Sequence, residues 1–146
     1  MSNLALIVSV GLLGGMAIGL QAPLANLISQ KLGVLESVFY VHLGGALFVA
    51  LALLFIGGGK VAQWQIVPWH AWLAGVMGVL GVAATLIMIP RIGIAGAVTL
   101  IIAGQLSTAA AIDHFGLLGV TPRPIEWQRF GGLALVLFGA WLAVRR

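Results

Sequence analysis

The sequence predicts an all-α polytopic membrane protein, one domain over residues 1–146 with five transmembrane helices. Three observations predict it. Charged residues make up only 7% of the chain and hydrophobic ones 62%, and the mean hydropathy is +1.17. A soluble domain carries about 25% charged residues, so the solvent here must be mostly lipid. Apolar runs recur at the ~20 residues that a helix rising ~1.5 Å per residue needs to cross ~30 Å of hydrocarbon. Backbone groups in hydrocarbon must be paired internally, which makes helices the default. The short alternating segments of a membrane β-barrel do not occur.

The first run is Leu4–Ser29, closed by Lys31 and Gly33. No Lys or Arg precedes it, and it is too long for a signal-peptide core. The small-residue site at Gln21 and Ala22 is followed by Pro23, a poor residue after a cleavage point. We expect a retained first helix, bent where Pro23 removes a backbone bond. The second run, Ser37–Ile56, ends at Gly57, Gly58, Gly59 and Lys60. The third, Trp69–Ile89, is expected to stop at Pro90 and Arg91. The fourth is Ile92–Phe115. The fifth is Trp127–Val144, closed by Arg145 and Arg146.

Five crossings put the termini on opposite faces. Trp64, Trp69 and Trp127 then share one membrane face, as interfacial tryptophans should, and Trp141 lies near the other. One face holds Lys31, Arg91, Arg145 and Arg146, and the other holds Lys60, Arg123 and Arg129. That is four against three, so the positive-inside rule barely separates the two orientations. Either a weak bias selects one orientation with the N-terminus outside, or the chain inserts both ways. A net charge of +4 would suggest nucleic acid in a soluble protein. Between apolar runs it reads as anchoring to the headgroups of the lipid bilayer, and no nucleic-acid partner is expected. The chain has no cysteine, which excludes disulfides, thiolate zinc sites and thiol catalysis.

Small residues mark helix faces. Gly11, Gly15 and Gly19 repeat every four residues, Gly104 leads Ser107, Thr108 and Ala111, and Gly132 and Gly139 lie seven apart. Such spacing lets helix backbones approach, so these glycines are expected to pack helices. The deep polar residues are Gln21, Asn26, His42 and Gln105. An amide in hydrocarbon must find partners, so each is expected to face the protein interior. There it either holds helices together, at ~0.6 kcal/mol per interhelical bond, or lines a site for a small ligand. Gln21 and Gln105 both lie near mid-span. His42, about two turns into its helix, is either neutral and hydrogen-bonded or a proton-sensitive partner.

Glu36, Asp113 and His114 fall at the rims. Glu36 shares a face with Lys31 and Arg91, and Asp113 shares one with Arg123 and Arg129. Interfacial ion pairs are one reading, and a gate or a proton-accepting carboxylate is the other. No carboxylate lies at the bilayer centre. Enzymatic constellations are lacking: Asp113 and His114 are neighbours and point ~100° apart on a helix. His70 and Glu126 lack metal-ligand spacing, and there is no phosphate loop or nucleophile elbow. No catalytic role, metal or cofactor is expected.

Three segments carry a resemblance: GLQAPLANLISQKLG in the first helix, the turn IPRIG, and GQLSTAAAIDHFGLLG at 104–119. Together they resemble the YdcZ-like family, a small group assigned as bacterial inner-membrane exporters within the drug/metabolite transporter superfamily. The resemblance covers nearly the whole chain and implies five transmembrane helices in the bacterial inner membrane. It also implies members that insert in both orientations and pair antiparallel, and others that occur as oppositely oriented pairs or fused tandems. The related small multidrug-resistance transporters use a central glutamate in their first helix. Gln21 and Asn26 occupy that region here, which argues against proton-coupled export of cationic drugs.

The expected function is a secondary transporter, exporting a small metabolite or drug-like molecule by alternating access as an antiparallel homodimer. The alternative is a non-transporting assembly subunit, or a half-transporter that needs an oppositely oriented partner. A channel would need a continuous polar stripe, and the polar residues here are isolated.

Overall fold

The computed structural model describes residues 2–145, with side chains from Leu4 onward; Arg146, one of the closing charges, lies outside the described residues. The regular elements are helical: α1 (Ser2–Leu32), α2 (Val34–Phe55), α3 (Leu73–Phe115) and α4 (Trp127–Val144). Short 3-10 turns cover Val61–Ile66, Trp69–Trp72 and Leu117–Gly119. Four segments are long and apolar enough to cross a membrane: Leu4–Leu32, Val34–Phe55, Trp69–Phe115 and Trp127–Val144.

The third of these, 47 residues long, is not one straight rod. Unbroken, it would measure about 70 Å, more than twice the hydrocarbon thickness. Its backbone leaves helical geometry at Gly93, with φ 75° and ψ 170°. That region is essentially open to glycine alone. The arms on either side, 73–92 and 94–115, are each of spanning length. The stop expected at Pro90 and Arg91 is therefore displaced. Proline forgoes one hydrogen bond but keeps a φ near −65°, which a helix tolerates when the surroundings compensate. A real break needs positive φ, and Gly93 supplies it. In the same way α1 runs unbroken through Pro23.

The chain packs as two compact units, residues 1–87 and 88–146. In the first, Gly33 is the whole connection between α1 and α2, so α2 begins at Val34 rather than Ser37. Its φ of 114° suits glycine, and the Glu36 carboxylate lies where a Cβ would stand. The two helices meet through small residues: Ala22, Ala25, Ser37 and Val38 are buried. The fully buried Ser37 hydroxyl donates to the Ala25 carbonyl at 2.7 Å. Thr85 and Leu86 of α3 are buried in this unit too.

In the second unit the buried hydrophobic side chains are Ile89, Ala97, Ala103 and Ala140. Both cores are thus made mostly of small residues. Large apolar side chains point outward: Leu12 is 66% exposed, Phe48 75% and Leu135 72%. In water this would be untenable. In lipid, where tails are as apolar as leucine, close contact between small residues holds helices together instead.

Candidate functional site

The C-terminal end of α3 is closed by Gly116 in the left-handed conformation, φ 62° and ψ 36°. The Pro122 ring fills the space beside Gly116 that a side chain would need. The chain then folds back on the helix end it has just left. The Arg123 N–H donates to the Asp113 carbonyl at 2.7 Å. The last carbonyls of a helix lack intrahelical partners, so this bond satisfies one of them. The Ile125 N–H donates to Nδ1 of His114 at 3.1 Å. A neutral imidazole that accepts at Nδ1 carries its proton on Nε2.

Beyond this clasp α4 begins, and Arg129 lies in its first turn. Its Nη1 is 3.7 Å from Oδ2 of Asp113, and the two side chains are 49% and 34% exposed. The pair lines a cleft of about 390 Å³ together with Leu106, Ala109, Ile125, Gly132, Leu133 and Val136. This volume falls within the usual range of small-molecule sites. Apolar walls with one charged pair at the end are what such a site needs for affinity and orientation.

The expected arginine partner of Asp113 is thus Arg129, while Arg123 contributes its main chain. Gly132, expected to pack helices, borders the cleft. Sequence reasoning missed the cleft, although a signal for it exists. Leu106, Ala109 and Asp113 repeat at helical spacing, and so do Arg129, Gly132, Leu133 and Val136. It missed the acceptor role of His114 as well.

The amides do not gather here. Gln105 adjoins Leu106 but is turned ~100° away, and it is exposed. Gln21 is exposed too, on the flank of the stripe that Ala22 and Ala25 bury; Asn26 is half-buried. Neither Gln21 nor Gln105 is covered within the single described chain. Only the smallest side chains allow α1 and α2 to touch, and an amide beside them is left outside the contact. The hydroxyls fare differently. Thr85, Thr99 and Ser107 each donate to the carbonyl four residues back in their own helix, at 2.7–2.9 Å.

His42 is half-buried in α2, and its Nδ1–H donates to the Val38 carbonyl at 2.8 Å. In the neutral ring this leaves Nε2 as an acceptor. Nε2 faces Gly78 of α3, where an added Cβ would stand 3.4 Å away. Glu36, exposed, turns back over Gly33. At Gly11, Gly15, Gly19, Gly104, Gly132 and Gly139 a Cβ would meet nothing within 4 Å.

No curated protein and no solved structure matches the chain. A family model described as "Putative inner membrane exporter, YdcZ" matches residues 6–142. The match includes the cleft, the clasp over it and the four deep polar residues. With four segments able to cross a bilayer and a family match over nearly its whole length, this is an inner-membrane protein, and it belongs to the YdcZ family of membrane exporters.

Proposed function

We propose that the chain is a single five-crossing domain that works as a secondary exporter in an antiparallel homodimer. The observation that carries this is the outward exposure of Gln21 and Gln105 on helices otherwise clad in large apolar side chains. Moving an amide from water into an apolar solvent without a partner costs ~4–8 kcal/mol. A second copy would cover both amides and bring them to a shared interface. The open glycine faces on α1 and α4 offer the close approach that such an interface needs. The break at Gly93 supports the count of five crossings. The near balance of Lys and Arg between the two faces supports insertion in both orientations.

In this mechanism the inverted copies form a pseudo-symmetric pair, with Gln21, Asn26 and Gln105 lining a cavity near the midplane. Rocking exposes that cavity to each side in turn. His42, whose Nε2 is left as a hydrogen-bond acceptor, is a further candidate for the substrate site. Asp113, His114 and Glu36 stay at the rims.

The test is orientation mapping. The native chain has no cysteine, so single cysteines in the 58–68 loop and near Arg146 can be labelled from outside the cell. The expected result is labelling of each position in part of the population. Complete labelling of one position and none of the other would sink the homodimer. The exposed amides would then belong to an interface with a distinct, oppositely oriented partner. Substrate flux in proteoliposomes, lowered by Gln105→Ala, tests the transport step itself.

A further inference from the structure

We propose that the cleft between α3 and α4 in the second unit binds an amphiphilic zwitterion: a small molecule with an ammonium and a carboxylate at one end and an apolar body, as in an apolar α-amino acid. This deepens the exporter reading and rests on it only for the purpose of binding.

Four features carry it. First, Leu106, Ala109, Leu133 and Val136 offer an apolar wall for the body of the ligand, and burying apolar surface there is favourable. Second, both signs of charge stand together at one end. The Asp113–Arg129 separation of 3.7 Å is too long for a hydrogen bond. The carboxylate therefore keeps acceptor positions for an ammonium, and the guanidinium keeps its fork of donors for a carboxylate. Both side chains are partly exposed and can be reached.

Third, a ligand with one charge gains less here. It engages one member of the pair and forgoes the charge-assisted hydrogen bonds of the other. A zwitterion satisfies both. Fourth, the helix ends agree with this polarity. Asp113 sits in the last turn of α3, where the helix presents its negative end and favours a cation. Arg129 sits in the first turn of α4, whose positive end favours an anion. A ligand ammonium on the Asp113 side and carboxylate on the Arg129 side gain from both. The loop held by His114 borders the same space through Ile125.

The experiment is calorimetric titration of the full chain in lipid nanodiscs with three probes: L-phenylalanine, N-acetyl-L-phenylalanine and L-phenylalanine methyl ester. The second lacks the cation and the third lacks the anion. We expect phenylalanine to bind at least about tenfold more tightly than either analogue. Asp113→Asn should shrink its advantage over the N-acetyl compound, and Arg129→Gln its advantage over the ester. Equal binding of all three would assign the cleft to any apolar occupant, including an acyl chain, and overturn the proposal. So would no binding of phenylalanine. If a variant fails to fold, the probe series on the native chain decides by itself. Binding is read without transport, so a failure here is distinct from a failure of flux or of dual orientation.

Discussion

Replacing Gly93 by alanine should destabilise the protein by about 2–4 kcal/mol. The native φ of 75° and ψ of 170° lie in the region that is essentially glycine-only. An L-residue held there costs about 1–3 kcal/mol. The reference state adds to this. In detergent-unfolded membrane proteins helices persist, so the arms of α3 can join there into a continuous helix. Alanine is about 1 kcal/mol better than glycine in such a helix. The sum corresponds to roughly a 30- to 800-fold change in the unfolding constant. Space is not the issue, since a Cβ at Gly93 meets nothing within 4 Å. The effect is one of backbone geometry alone.

The assay is reversible unfolding from lipid micelles into SDS, followed by circular dichroism or by tryptophan fluorescence. Gly14→Ala is the control. Gly14 lies inside α1, and a Cβ there also meets nothing within 4 Å. That change should be neutral or stabilising by up to about 1 kcal/mol. A Gly93→Ala protein as stable as the native one would refute the reasoning. It would mean that the break between the arms does not depend on positive φ.

Substitutions at three further places are expected to read out in the same assay. Ser37→Ala should cost about 0.6–1.7 kcal/mol, the worth of one interhelical bond in a membrane, because only the 2.7 Å bond to Ala25 is lost. Ser37→Leu should cost a further ~1–3 kcal/mol by overpacking a fully buried position, and equal losses from the two would contradict the packing described. Gly33→Ala should lower stability by about 1–3 kcal/mol through its φ of 114°. Adding Glu36→Ala should restore part of that loss, since the Glu36 carboxylate occupies the Cβ position; strict additivity would show that the two do not compete. Asp113→Asn should change stability by less than about 1 kcal/mol, as expected for a partly exposed pair at 3.7 Å, and a larger loss would make the ion pair a structural element.

Much of the fold is legible in the sequence because hydrocarbon thickness fixes how long an apolar run must be. The runs beginning at Leu4 and Trp127 fall inside α1 and α4, and Lys31–Gly33 and Arg145 mark their ends. The break in α3 lies a few residues beyond the position that Pro90 suggests. Proline signals a missing hydrogen bond, whereas the turn itself requires a dihedral that only Gly93 provides. The pairing of Asp113 with an arginine is legible from their shared membrane face. That Arg129 supplies the side chain and Arg123 only an N–H depends on how the loop folds back, which the spacing of charges does not encode. The direction of Gln21 and Gln105 is not legible either. Each lies within ~100° of a small residue, and which small residues make contact is settled by pairing across helices.

The two longer connections differ in how they are held. After α2 the chain turns through Gly57, Gly58 and Gly59, at φ 74°, 82° and 55°, and its backbone bonds there reach no further than Leu53 and Val61. The connection after α3 is fastened to that helix through Arg123 and Ile125. Added sequence should therefore be accepted very differently at the two places. An epitope tag or a fluorescent domain inserted after Gly58 disturbs only local turns in an exposed stretch, the usual setting for tolerated insertions. The same cargo between Leu118 and Ile125 pulls on the fastening that borders the cleft. The glycine triplet is the natural splice point for reporters of this protein, and the fastened loop is a segment to leave intact.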